Sequence, residues 1–149
     1  MKIAIAADHG GLSLKNKIKD YLQQNGYEIC DFGTNSTDSC DYPDFALPAA
    51  EAVATHKCDK GIIVCTTGIG VSMVANKVPG VRCALCHDLC GAELTRRHND
   101  ANVLAMGGHV VGDELALQMA DVFLKTEFEG GRHQRRVDKI TAVEKKYSK

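Results

Sequence analysis

Gly61-Ile-Ile-Val-Cys-Thr-Thr-Gly-Ile-Gly70 is the stretch on which the fold turns. Ile62, Ile63 and Val64 are consecutive β-branched apolar residues with no polar alternation. A strand of that kind is covered on both faces, as in a parallel sheet flanked by helices. The run ends in Cys65, and Thr66-Thr67-Gly68-Ile69-Gly70 then leads into a short helix predicted over residues 69–77. Ligands of open α/β sheets bind outside the carboxyl ends of the strands. Cys65 therefore stands where such a protein does its chemistry. Glycines let the backbone approach a ligand. Amides at a helix start stabilise an oxyanion and favour the thiolate of a nearby cysteine. The competing reading is a buried structural cysteine before a tight turn.

Outward from this stretch, strands and helices alternate. Residues 3–7 predict a first strand, punctuated by Asp8-His9-Gly10-Gly11. Leu14, Ile18, Tyr21 and Leu22 follow at helical spacing, and Asn25-Gly26 stops that helix. Residues 27–32 predict a second strand and residues 33–42 a polar loop. Pro43 opens a helix to about residue 56, in which Pro48 must bend the helix or delay its start. Beyond Pro79-Gly80 come a strand over 81–86, a helix over 88–98, a strand over 102–106 and a helix over 112–125. A last helix, from 132 to about 146, has no strand after it. The pattern predicts one domain over residues 1–149, with an α/β fold. It is a Rossmann-like, doubly wound, five-stranded parallel sheet with helices on both faces. The last helix is expected at a dimer interface.

Composition removes several classes of function. A net charge of −1 gives no nucleic-acid surface and no polybasic membrane patch. The apolar run at the N-terminus is too short for a signal peptide, and no stretch approaches a membrane span. A cytoplasmic chain is expected, with its seven cysteines reduced. Cys83-Ala84-Leu85-Cys86-His87 spells a haem-attachment motif, and with Cys90 it offers four zinc-type donors. It is set aside because a strand sends Cys83 and Cys86 to opposite faces. Neither metal nor another cofactor is expected.

Three further motifs carry chemistry. Asp8 and His9 lie in the first strand-to-helix turn, where a carboxylate accepts from sugar hydroxyls and an imidazole donates to oxygen; alternatively Asp8 only caps the helix. His98, in Arg96-Arg97-His98-Asn99-Asp100, suits acid–base work near neutral pH, or completes a cationic last turn. Arg132, His133 and Arg136 follow Gly130-Gly131 at a helix start, where cations oppose the helix dipole. Arg132 and Arg136 share one face and suit a phosphate, or are ordinary solvated charge.

Together these residues resemble the ribose-5-phosphate isomerase B family of phosphosugar isomerases. The motifs include Asp8-His9-Gly10, Asp31-Phe32-Gly33-Thr34, Asp41-Tyr42-Pro43, the loop from Cys65 to Gly70 and Ala75-Asn76-Lys77. They continue through His98-Asn99-Asp100 and Glu129-Gly130-Gly131-Arg132-His133. The resemblance implies metal-free interconversion of D-ribose 5-phosphate and D-ribulose 5-phosphate through an enediolate. It implies Cys65 as the base, His98 as the ring-opening residue and Thr67 as a hydroxyl near the reacting oxygens. Backbone amides of Thr66, Gly68, Ile69 and Gly70 would form the anion hole. Asp8, His9, Asp41, Tyr42 and Asn99 would line the sugar, and His9, His109, Arg132, His133 and Arg136 the phosphate. It further implies a homodimer, or a dimer of dimers, with sites shared between protomers. Two positions depart from the family pattern. Thr66 stands where most relatives have glycine, and His109 where many have arginine. They leave room for a different substrate, such as a hexose 6-phosphate. A second alternative is a phosphosugar-binding module without catalysis, against which the presence of Cys65, Thr67 and His98 together argues.

Overall fold

A computed structural model describes residues 1–149. Five strands, β1 (Lys2–Ala7), β2 (Glu28–Asp31), β3 (Lys60–Cys65), β4 (Cys83–Leu85) and β5 (Val103–Gly107), form one parallel sheet in the order β2-β1-β3-β5-β4. Six helices accompany them: α1 (Leu12–Gln24), α2 (Pro43–Ala54), α3 (Ile69–Ala75), α4 (Leu89–Asn99), α5 (Asp113–Lys125) and α6 (Arg132–Tyr147). No helix is long and apolar enough to cross a membrane.

Strand alternation divides the core in two. Ile3, Ile5, Ala7, Ile62 and Val64 face one layer with Leu14, Ile18 and Leu22 of α1, Ala92 of α4, and Met119 and Phe123 of α5. Ala4, Ala6, Ile63 and Cys65 face the other layer with Ala46, Ala49, Ala50 and Val53 of α2 and Val71 and Ala75 of α3. The alanines bring α2 close to the sheet, since a small side chain lets backbones approach. Cys83 packs beside the second layer and Cys86 within the first, so the two thiols are separated as expected.

Two elements differ from expectation. The helix at Pro43 starts at that residue and runs unbroken through Pro48, so its start is not delayed. The missing Pro48 amide leaves the carbonyl of Asp44 without a partner, and Asp44 is exposed to water. The fourth strand keeps only Cys83–Leu85 of its expected length. Arg82, just before it, is held instead by the side-chain oxygen of Asn102 and by the carbonyls of Asn99 and Asp100.

The winding decides where a ligand sits. β2 lies on one side of β1 and β3 on the other, so the connections reverse direction between β1 and β3. The crevice of an open α/β sheet lies at that reversal, at the carboxyl ends of the strands. Each connecting helix begins at this carboxyl edge and ends at the opposite, amino edge.

Candidate active site

Three loops meet at the carboxyl edge: Asp8–Gly11 after β1, Thr66–Gly68 after β3 and Gly108–His109 after β5. The amides of Gly108 and His109 donate to the carbonyls of Cys65 (2.8 Å) and Thr66 (3.0 Å). Cys65, 4 % exposed, ends β3 with its side chain toward α3. The Gly68 amide donates to its sulfur at 3.1 Å. An N–H aimed at sulfur is a better partner for a thiolate than for a thiol. Gly68 makes this geometry with φ of +80°, and a Cβ there would meet Leu85 Cδ1 at 2.6 Å and the Met106 carbonyl carbon at 2.7 Å. The Thr67 hydroxyl accepts from the Ile69 amide at 3.3 Å, which leaves its own proton for a ligand.

The first turn is held by Asp8, whose Oδ1 accepts from the amides of Gly10 (2.9 Å) and Gly11 (3.1 Å). Its capping and binding readings are therefore compatible, because Oδ2 makes no bond within the chain. His9 Nδ1 accepts from the Cys40 amide at 3.2 Å, so a neutral His9 carries its proton on Nε2. That contact brings the 33–42 loop to the crevice. Two residues later, the Tyr42 ring packs so closely on Gly70 that a Cβ at Gly70 would meet it at 2.6 Å. Asp41 is exposed beside it.

Thr66 takes a definite place. Its hydroxyl leans over the first turn, where a Cβ on Gly10 would overlap it. The side chain thus fills space between two loops. Gly10→Ala is expected to lower stability by about 1–2 kcal/mol. In a Thr66→Gly background the same change should cost much less; equal losses of melting temperature in both backgrounds would refute the contact.

The other expected site residues form a second cluster at the amino edge. His98 and Asn99 end α4, and the Asn99 carbonyl accepts from Arg82 Nε, just ahead of β4. His98 stacks on His133 with ring centroids 4.3 Å apart and planes 8° from parallel. His133 is 7 % exposed, and its Nε2 lies 3.4 Å from Glu129 Oε1. Burial, then the neighbouring His98, pushes His133 below the ordinary imidazole range. Arg97 holds the Glu129 carboxyl below the usual carboxylate range through a 2.5 Å hydrogen bond. Arg132 and Arg136 are exposed and make no ion pair within the chain, whereas His133 is turned inward.

Cys65 and His98 therefore lie at opposite edges of the sheet in one chain. The largest groove, about 910 Å³, touches neither Cys65 nor the β1 turn; it runs beside α6 and is lined by Asn76, Arg82, Asn99, Ile140, Val143 and Tyr147. Donors converge in the loops at the carboxyl edge, away from this groove, whose lining also includes Lys77, Cys83 and Glu144. Sequence reasoning missed two parts. Gly107-Gly108 was legible as a glycine pair ending a strand; the pairing of Cys40 with His9 carries no local signal.

Comparison with known proteins places the chain in a family. Residues 3–140 match the family described as Ribose/Galactose Isomerase. A solved structure of Clostridium thermocellum ribose-5-phosphate isomerase B superposes with a TM-score of 0.98 at 56 % identity, covering 99 % of this chain and 100 % of that one. The structure of Mycoplasma genitalium ribose-5-phosphate isomerase B with bound ribulose-5-phosphate superposes at 0.93 with 46 % identity, covering 97 % and 96 %. Escherichia coli ribose-5-phosphate isomerase B is 48 % identical over 145 residues, 97 % of each chain. With its parallel sheet, its thiol at the carboxyl end of β3 and near-complete coverage by these relatives, the chain belongs to the ribose/galactose isomerase family, as an isomerase of the ribose-5-phosphate isomerase B type.

Proposed function

We propose that the protein interconverts D-ribose 5-phosphate and D-ribulose 5-phosphate, with Cys65 as the proton-transfer base. The observation that carries this reading is the Cys65 sulfur at the β1/β3 crevice, bonded to the Gly68 amide at 3.1 Å. In the open-chain aldose, the thiolate takes the proton from C2. The electron pair moves onto the C1 oxygen as an enediolate. The thiol, whose proton can exchange with solvent at this stage, returns a proton to C1 while a proton passes from O2 to O1. A C–H beside a carbonyl is a weak acid, so the oxyanion must be stabilised as it forms; one such donor is worth about 3–4 kcal/mol. No group of the chain accepts from the amides of Thr67 and Gly70, which leaves them for that oxyanion. The Thr67 hydroxyl serves the O1/O2 proton shift, and Asp8, His9, Asp41 and Tyr42 line the sugar. A coupled assay on ribose, allose and galactose phosphates tests the substrate. Turnover confined to a hexose 6-phosphate would overturn the pentose reading in favour of the second one, which the family description supports.

His98 opens the sugar ring and Arg132 and Arg136 hold the phosphate, but only in a site completed by a second copy of the chain. The separation of the two clusters supports this: one chain cannot bring its own His98 to its own Cys65. Ile69 (47 % exposed) and Met73 (63 % exposed) on α3 give an apolar surface beside the Cys65 loop for that copy. Mixing Cys65→Ala and His98→Asn chains, each inactive alone, is expected to restore about a quarter of wild-type activity by random pairing. Absence of recovery in verified mixed dimers would place both residues in one chain's site. His109, whose amide is tied to the Thr66 carbonyl, is the phosphate ligand on the Cys65 side. His109→Arg is expected to lower KM for ribose 5-phosphate several-fold through a bidentate contact, with kcat little changed. An unchanged KM would remove His109 from the phosphate site.

A further inference from the structure

The amino-edge cluster holds a donor set that the isomerase reaction does not use as a set. One ring nitrogen each of His98 and His133 and one Glu129 oxygen all lie within 4.8 Å of one another. His133 Nε2 and Glu129 Oε1 are already 3.4 Å apart. That is close to the ~3.4 Å edge between neighbouring ligands of a tetrahedral ion with bonds of about 2.0–2.1 Å. Glu129 is pre-positioned, because its Oε2 accepts from Arg97 Nε and its Oε1 is left facing the imidazole. His133 is buried, which fixes its ring beside the Glu129 carboxylate. The stacked rings send their nitrogens side by side, so an ion shared by both needs one ring to turn. His98 is the ring with room: it is half-buried at the last turn of α4, whereas His133 is enclosed. Two imidazoles and one carboxylate, with the remaining positions open, suit zinc, cobalt or nickel rather than magnesium or calcium.

We propose that His98, Glu129 and His133 form a binding site for a divalent transition-metal ion of the zinc class, which withholds His98 from the sugar. The inhibitory half rests on the reading of His98 as the ring-opening residue; the binding half does not. The site is distinct from the cysteine cluster around Cys83, since it uses no thiol.

The test titrates Zn²⁺ into the reduced full-length protein against a chromophoric chelator, for wild type, Glu129→Gln and His133→Gln. One ion per chain is expected, with affinity at least about tenfold weaker in either variant. Unchanged affinity in both variants would assign the metal to cysteines and overturn the site, as would no binding to wild type. Should the variants not fold, imidazole ¹H–¹⁵N spectra of wild type decide: Zn²⁺ should move the resonances of two of the six histidines, His98 and His133, and a shift confined to others overturns the site. Isomerase activity should fall with the same Zn²⁺ dependence and return with a chelator. Binding at these residues without inhibition would leave the metal site standing and remove the ring-opening role of His98.

Discussion

Cys65→Ala is expected to lower kcat for ribose 5-phosphate by about 10²–10⁴-fold, the range of a positioned general base. KM should change far less. The substitution removes the sulfur at the end of β3 but leaves the loop amides and the lining of Asp8, His9 and Tyr42. The only bond it breaks is the one from the Gly68 amide, and the sulfur contributes little to the core beyond its contacts with the α3 layer. Cys65→Ser restores the size but not the basicity, so it should remain slow. Solvent deuterium incorporation at C1 or C2 of the sugar gives a second readout and should vanish with the thiol. Full activity of Cys65→Ala would show that the proton is taken by another group.

The second large effect falls on stability. Lys15 on α1 is fully buried, an unusual place for an ammonium. Its Nζ donates to both oxygens of Asp31 (3.0 and 3.1 Å), the Thr34 carbonyl (2.5 Å) and Asn35 Oδ1 (3.2 Å). Burial pushes the Asp31 carboxyl up, but the Gly33 amide, Lys15 and Lys19 together outweigh it and hold the group below its ordinary value. Lys15→Met leaves Asp31, 13 % exposed, with Lys19 as its remaining cation. Removing one partner of a buried pair costs about 3–5 kcal/mol, and the surviving Lys19 contact points to the lower end. Denaturant melts should show the loss, and Lys15→Met with Asp31→Asn should recover part of it. Because the folded carboxyl titrates below its unfolded value, its contribution is present above the ordinary carboxylate range and is lost as pH falls through the folded value. Acid unfolding of the wild type should therefore begin below that range, and the Lys15→Met chain should lose this protection. A variant as stable as wild type would show that the network contributes nothing net.

The same network has a functional consequence. Lys15 follows the Asp8–Gly11 turn on α1 and grips the start of the 33–42 loop. That loop carries Cys40 to His9 and Tyr42 to Gly70. The Ala7 amide donates to the Gly33 carbonyl and the Thr34 amide to the Ala7 carbonyl, both at 2.6 Å, so the loop leaves the sheet in fixed register with β1. One buried cation thus joins the first turn and the loop that lines the crevice.

The parallel sheet, the order of elements and the thiol at the end of β3 could be derived from the sequence alone. Strand periodicity, glycine punctuation and the apolar run at Ile62–Ile63–Val64 are local, and they act through backbone propensity and the need to bury apolar side chains. The turn at Asp8 and the loop at Cys65 were legible for the same reason, since each needs specific residues within a few positions of one another. Tertiary structure alone decided the rest. It set Thr66 against Gly10, paired His9 with Cys40, buried Lys15 on Asp31 and stacked His98 on His133 beside Glu129. Apart from Glu129 and His133, which are four residues apart, these partners are 16 to 56 residues apart, and no local pattern encodes which side chains a strand order will bring together. Above all, the winding put Cys65 at one edge of the sheet and His98 at the other. A strand runs one way and its helix returns, so residues at a strand end and at a helix end are separated by the full height of the sheet.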